Sequence, residues 1–175
     1  MQKIISLFSI VLISISTFGQ TNFDKFKKLF QEKDSTAIVS LLQQWEKENP
    51  NDPEFYTSAF NFYFSNSKQE ILSLQQKEPE AEALQLTDSL GNVAGYLTSQ
   101  ITYQSEQYKK AITYINKGVE KFPNRLDIWF GKCYALGQAE DYSTFTNTLI
   151  QIVDQSTINK NKWFWTKNEP VEDGE

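Results

Sequence analysis

Histidine does not occur anywhere in the 175 residues, and cysteine occurs once, at Cys133. The first absence removes Ser-His and Cys-His nucleophilic chemistry, histidine-bearing zinc sites and a charge switch near neutral pH, because imidazole is the side chain that ordinarily titrates there. The second forbids an internal disulfide, so the fold must be held by packing. Glycine is sparse, at seven residues, and never clusters as a phosphate-cradling loop requires. No nucleophile elbow and no metal-ligand cluster can be read in the chain, so neither cofactor nor metal is expected. The 17 basic residues are outnumbered by 22 acidic ones and interleaved with them. A polyanion needs a basic face on which to release its counterions, which argues against a nucleic-acid partner.

Long apolar runs are also missing, except at the start. Residues 1–20 carry one charge, Lys3, followed by an almost wholly apolar or serine run from Ile4 to Ile15. That outline is a secretory signal peptide: a positive start, about a dozen apolar residues, then small and polar ones. A spanning helix needs about 20 predominantly apolar residues, and this run falls short. The expected exit lies near Gly19, Gln20 and Thr21, and no lipobox cysteine is available there. The expected product is an exported protein, periplasmic or extracellular, without a stable membrane anchor after cleavage. Cleavage takes one lysine from the 17 basic residues and none of the 22 acids, leaving a net charge of −6.

What the chain does contain is helical periodicity. In Tyr108 to Pro123, Tyr108, Ala111, Ile112, Ile115 and Val119 recur at steps of three and four, with Lys109, Lys110, Asn116, Lys117 and Glu120 opposite. Pro123 ends that helix, and another begins around Asp127. Upstream, Phe23, Phe26, Leu29 and Phe30 define a helix to Lys33. Asp34-Ser35-Thr36 then offers capping oxygens to a second helix reaching Glu48, with Ala37, Ile38, Leu41, Leu42 and Trp45 on its apolar face. Residues 49–53, Asn-Pro-Asn-Asp-Pro, form a turn, and Pro53 suits the first turn of a third helix running to about Phe64. That helix holds Phe55, Tyr56, Phe60, Phe62, Tyr63 and Phe64. Such a set could stack sugar rings, but its helical spacing points first to a core.

The spacing of these pairs resembles the tetratricopeptide repeat, a 34-residue helix-turn-helix unit closed by a proline. Counting back from Pro50 places Ile38, Leu42 and Trp45 at its second-helix packing positions. The same offsets from Pro123 place Tyr108, Ala111, Ile115 and Gly118. Trp129, Cys133 and Leu136 follow on the next first helix, and Tyr142, Phe145, Leu149 and Ile152 on its second. Lys132 departs from the pattern, standing where a large apolar residue is usual. The resemblance implies a mainly α, helix-turn-helix solenoid over residues 21–161 that binds another protein along its concave face. In that family the first helix of each pair lines the groove. The offsets therefore nominate Glu54, Thr57 and Asn61 in one pair and Asp127, Phe130 and Tyr134 in the next as partner-binding residues. Phe130 could instead pack on an inserted hairpin.

Pro123 follows Pro50 at a step of 73 residues, more than two 34-residue units occupy, and the middle has the wrong residues for a helix pair. Residues 82–88 alternate apolar and polar, Leu90-Gly91-Asn92 carries turn chemistry, and Val93 to Tyr103 is rich in Tyr, Thr, Ile and Leu. These features predict a β-hairpin over about 82–98, with Ile71 to Leu74 able to add a third strand. The insertion, about 68–103, would separate the two helices of one repeat. The competing reading is a degenerate extra repeat with a helix over 68–78 ended by Pro79. Asp154 to Asn161 reads as polar loop. Residues 162–175 form a tail that could open a further unit, with Trp163, Phe164 and Trp165 awaiting cover.

Cys133 and the acids of residues 78–82 could each carry sharper chemistry. Cys133 has no histidine to make it a thiolate and sits at a small packing position, which reads as a structural thiol. Glu78, Glu80 and Glu82 could pose as hydrolytic carboxylates, but a proline-containing charged link reads as a solvated loop. No catalytic residue is expected. The leading expectation is a protein-binding adaptor, and the alternative is a glycan or small-molecule binder using exposed aromatics.

Overall fold

Side-chain caps start four of the six α-helices found among the described residues, three of them in the first half of the chain. In the computed structural model, which describes residues 21–80 and 82–172, α1 (Asn22–Glu32) begins at Thr21, whose Oγ1 accepts the Asp24 N–H at 3.1 Å. Asp34 accepts the Ala37 N–H at 3.0 Å to start α2 (Ser35–Glu48), and Asp52 accepts the Glu54 N–H at 3.0 Å to start α3 (Pro53–Ser67), with Pro53 in the first turn. Beyond α3 come strands β1 (Lys68–Gln75), β2 (Leu84–Thr87) and β3 (Val93–Tyr103). The chain then returns to helix in α4 (Ser105–Lys121), α5 (Leu126–Gln138) and α6 (Tyr142–Ile158), and ends in a short 3-10 turn at Thr166–Asn168. The signal segment expected at 1–20 lies outside the described residues.

The chain is mainly α with a small antiparallel sheet, as its periodicity implies. Consecutive helices pack on one another throughout, and α1 also meets α3, as α3 meets α5. The first helices of successive pairs are therefore neighbours along one side. α3 is the hub because it is aromatic on nearly every face. Phe55, Tyr56, Ala59 and Phe62 join Phe26, Ile38, Leu42 and Trp45 in one core, while Phe60 joins Ala111, Ile115, Ile128 and Ala135 in another. Each large side chain buried this way is worth about 1.5–3 kcal/mol. The aromatic run of α3 is thus mostly core and no sugar platform. Gly118 of α4 lets α3 approach closely: a Cβ there would stand 3.1 Å from Tyr56 Cβ and 3.1 Å from Ile128 Cγ2.

The insertion is a three-stranded sheet of order β1-β3-β2 between α3 and α4. β1 is the principal partner of β3, pairing Lys68 with Tyr103 through Gln75 with Tyr96, whereas β2 pairs only from Leu84 opposite Leu97 to Thr87 opposite Val93. The helix over 68–78 in the competing reading does not form. Gly91 turns the hairpin at φ +85°, where Asp88 accepts the N–H groups of Leu90 and Asn92, both at 2.8 Å.

Three other expectations need correction. Residues 154–158 continue α6 and are not loop, because Thr157 and Ile158 extend the turn and Asn159 closes it. Tyr142 and Leu149, placed at packing positions, are exposed, since α6 is the last helix and carries no neighbour on its outer side among the described residues. Trp163, expected to await cover, is buried where the described part of the tail folds back, and its Nε1–H donates to Ser156 Oγ at 3.3 Å.

Candidate functional site

Residues that the repeat offsets nominate separate into two groups, and one residue missing from that set divides them. Arg125 closes the turn after Pro123 and is 3% exposed. Its Nε and Nη2 grip Asp127 at 2.9 and 2.7 Å in a bidentate fork, and Nη2 also reaches Glu54 at 3.0 Å. The remaining nitrogen, Nη1, donates to Asn168 Oδ1 at 3.2 Å. Burial works against the guanidinium charge, but Asp127 and Glu54 outweigh it and hold Arg125 above its ordinary pKa.

Around this pivot the tail is strapped across the helix ends. The Lys167 N–H donates to Glu54 Oε1 at 2.7 Å, and the Thr166 hydroxyl donates to Asp127 Oδ2 at 3.1 Å. Backbone bonds continue the strap: Leu126 N–H to the Phe164 carbonyl and Phe164 N–H to the Asn124 carbonyl, both at 2.9 Å. The carboxylates of Glu54 and Asp127 are therefore already engaged by Arg125 and the tail. Each sits in the first turn of a first helix, beside the buried arginine, and is consumed in holding the tail.

The other four nominated residues behave differently. Phe130 and Tyr134, one turn apart on α5, are 50% and 59% exposed. Asn61 is exposed, and Thr57 is half-buried with its hydroxyl donating to the Glu54 carbonyl at 3.1 Å. Phe130 meets Trp165 of the tail edge to face at 5.8 Å and 76°. Tyr134 meets Phe64 at 5.8 Å, and Phe64 in turn stacks on Tyr103 at 5.3 Å. Ring contacts thus join α5 to the tail at Phe130 and to the sheet, through Phe64, at Tyr134. A cleft of about 170 Å³ opens where α1, α3 and α5 converge, lined by Phe23, Glu54, Thr57, Asn61, Asp127 and Thr166 among others. The helix pairing brings the nominated set of α3 and Asp127 to one place, with Phe130 and Tyr134 along the adjoining surface.

The chemistry available here is recognition and locking. Cys133 is buried, and that burial pushes its thiol pKa up, away from the thiolate a nucleophile needs. Glu78, Glu80 and Glu82 are exposed in the link before β2, with no partner fixing them at a set separation among the described residues. No group of His, Cys, Asp and Glu suited to holding a metal occurs among the described residues. No helix among them is long and apolar enough to cross a membrane.

Arg125 could have been found from the sequence. It is the only arginine, against 16 lysines, and arginine is the cation suited to a buried bidentate pair. Comparison with known families, with curated proteins and with solved structures returned no match.

Proposed function

We propose that the chain is an exported adaptor of the tetratricopeptide type that binds another protein along the surface of its first helices. The observation that carries this reading is the exposure of Phe130 and Tyr134 on the side where α1, α3 and α5 meet. Large aromatic side chains half or more in water are costly to leave uncovered, and they supply the anchor residues of protein interfaces. Trp165, 40% exposed, extends the patch, and Thr57 and Asn61 border it with polar groups that can set register. Glu54 and Asp127 support the surface from beneath by fixing the tail that carries Trp165.

The test uses the exported protein, whose new N-terminus should lie near Thr21 by intact mass, to isolate its partner from the envelope fraction. Binding of that purified partner is then measured for Phe130→Ala and Tyr134→Ala. Each should weaken binding by about 1–3 kcal/mol if it is an anchor, with helicity and melting temperature unchanged. Unchanged binding in both variants overturns the surface assignment, and recovery of the full 175 residues in membranes overturns export.

A further inference from the structure

The central strand of the sheet is longer than the strand beside it. β1 covers one edge of β3 over Tyr96 to Tyr103, but β2 covers the other edge only as far as Leu97, opposite Leu84. Antiparallel pairing turns the N–H and C=O of alternate residues toward opposite edges. The Gln104 N–H donates to the Ser67 carbonyl at 2.6 Å on the β1 side, so the even-numbered residues of β3 bond to β1. By that alternation Ser99, Ile101 and Tyr103 present their backbone groups to the edge β2 leaves uncovered. None of these groups has a backbone partner there among the described residues. Ser99 and Ile101 are exposed, so nothing stands over them.

Two cavities lie along this same open edge. One, of about 370 Å³, is lined at the base by Ile101, Tyr103, Tyr108, Lys109, Gln138 and Glu140. The other, of about 490 Å³, lies further up between Leu72, Leu84, Leu97, Ser99 and Glu82. Unpaired ladder groups flanked by side-chain cavities are the elements of strand addition, in which the main chain gives affinity and the cavities select alternate side chains. We propose that β3 accepts an extended peptide segment of a partner protein along Ser99 to Tyr103, in line with β2.

The surroundings state what that segment carries. Running antiparallel to β3, it points the same way as β2, with its start beside Tyr103 and its end beside Glu82. On the Leu72, Leu97 and Ile101 face its alternate side chains are apolar, and an aromatic one enters the cavity beside Tyr103 and Tyr108. Lys109 and Glu140 balance each other at that end. At the other end Glu82 lines the cavity beside Ser99, so the segment finishes in a basic residue. The gap of five residues spans about 17 Å of extended chain.

The probe is the peptide acetyl-TYTVTK-amide, in which tyrosine, valine and lysine fall opposite Tyr103, Ile101 and Ser99. Titrated into the mature protein, it should slow amide exchange at Ile101 and Tyr103 and leave the amides of α5 unaffected. Methylating the tyrosine and valine amide nitrogens should weaken binding about tenfold or more, through two lost backbone hydrogen bonds. Glu82→Lys should weaken it as well, and Phe130→Ala should not, which keeps this edge separable from the aromatic surface of α5. Equal binding of the methylated peptide overturns the proposal, and so does the absence of protection at Ile101 and Tyr103 at millimolar peptide. Protection that grows with protein concentration alone would put a second copy of the chain on the edge and overturn it too.

Discussion

Replacing Arg125 with methionine keeps the aliphatic stem and removes the charge that two acids share. Glu54 and Asp127 have side chains only 10% exposed, so the variant leaves two carboxylates in a poorly solvated place with no cation between them. Breaking a buried pair from one side costs about 3–5 kcal/mol, because the remaining charge stays desolvated. In a domain of this size each kcal/mol moves the melting temperature by about 2–4 °C, which gives a fall of about 6–20 °C. The tail should loosen at the same time, since Asn168 loses its donor and Lys167 N–H is left on an unanchored Glu54. Thermal melting by circular dichroism reads the first effect. Tryptophan fluorescence reads the second, as Trp163 moves from burial toward water. The triple variant Arg125→Met, Glu54→Gln, Asp127→Asn removes the stranded charges and should recover a large part of the loss. A single variant within about 1 kcal/mol of the parent would refute the reasoning, being no more than an exposed pair is worth. A triple variant no more stable than the single one would refute it equally.

Gly118→Ala should destabilise despite alanine's better helix propensity, because the new Cβ would press on Tyr56 Cβ and the buried Ile128; about 1–3 kcal/mol is expected from such overpacking, read by urea denaturation. Gly91→Val places a β-branched residue at φ +85° with no steric neighbour within 4 Å, so its cost of about 1–3 kcal/mol is backbone strain alone. Amide exchange should then quicken in β2 and β3 and stay unchanged in α3 and α4. Tyr114 is pushed up to about 12 by burial and, less strongly, by Glu46. A raised pKa favours the neutral phenol in the fold, so its contribution is complete below the ordinary value of 10 and is lost as pH rises through about 12. Tyr114→Phe should therefore lose stability less steeply than the parent across that alkaline window, followed by melting temperature and tyrosinate absorbance. Parallel alkaline curves for the two would count against the assignment.

Local signals in this chain were legible where the chemistry was local. Asp34 announces a helix start because a short acceptor before an apolar repeat has few other uses, and it caps as expected; Asp52, read only as part of a turn, caps the next helix in the same way. The strand insertion was readable from alternation in residues 82–88 and from the Asp88 to Asn92 turn, although the stronger pairing proved to be β1 with β3, whose partners lie up to 35 positions apart. The candidate surface was half legible. Phe130 and Tyr134, which the helical offsets nominate, are exposed, as the period of a helix alone can indicate. The burial of Glu54 and Asp127 could not be read from the same offsets, since it depends on a tail more than 35 residues downstream and on an arginine that no periodicity governs. A heptad or repeat register describes which side of a helix a residue occupies, not what else the chain later lays on that side. Here the tail does more than cover two acids. By tying Trp165 against Phe130 it converts a helix face into a bordered surface, and it does so through the one cation whose planar fork can bind Asp127 twice and Glu54 once. In the adaptor we propose, the buried charges support the surface and its aromatic rings make the contact.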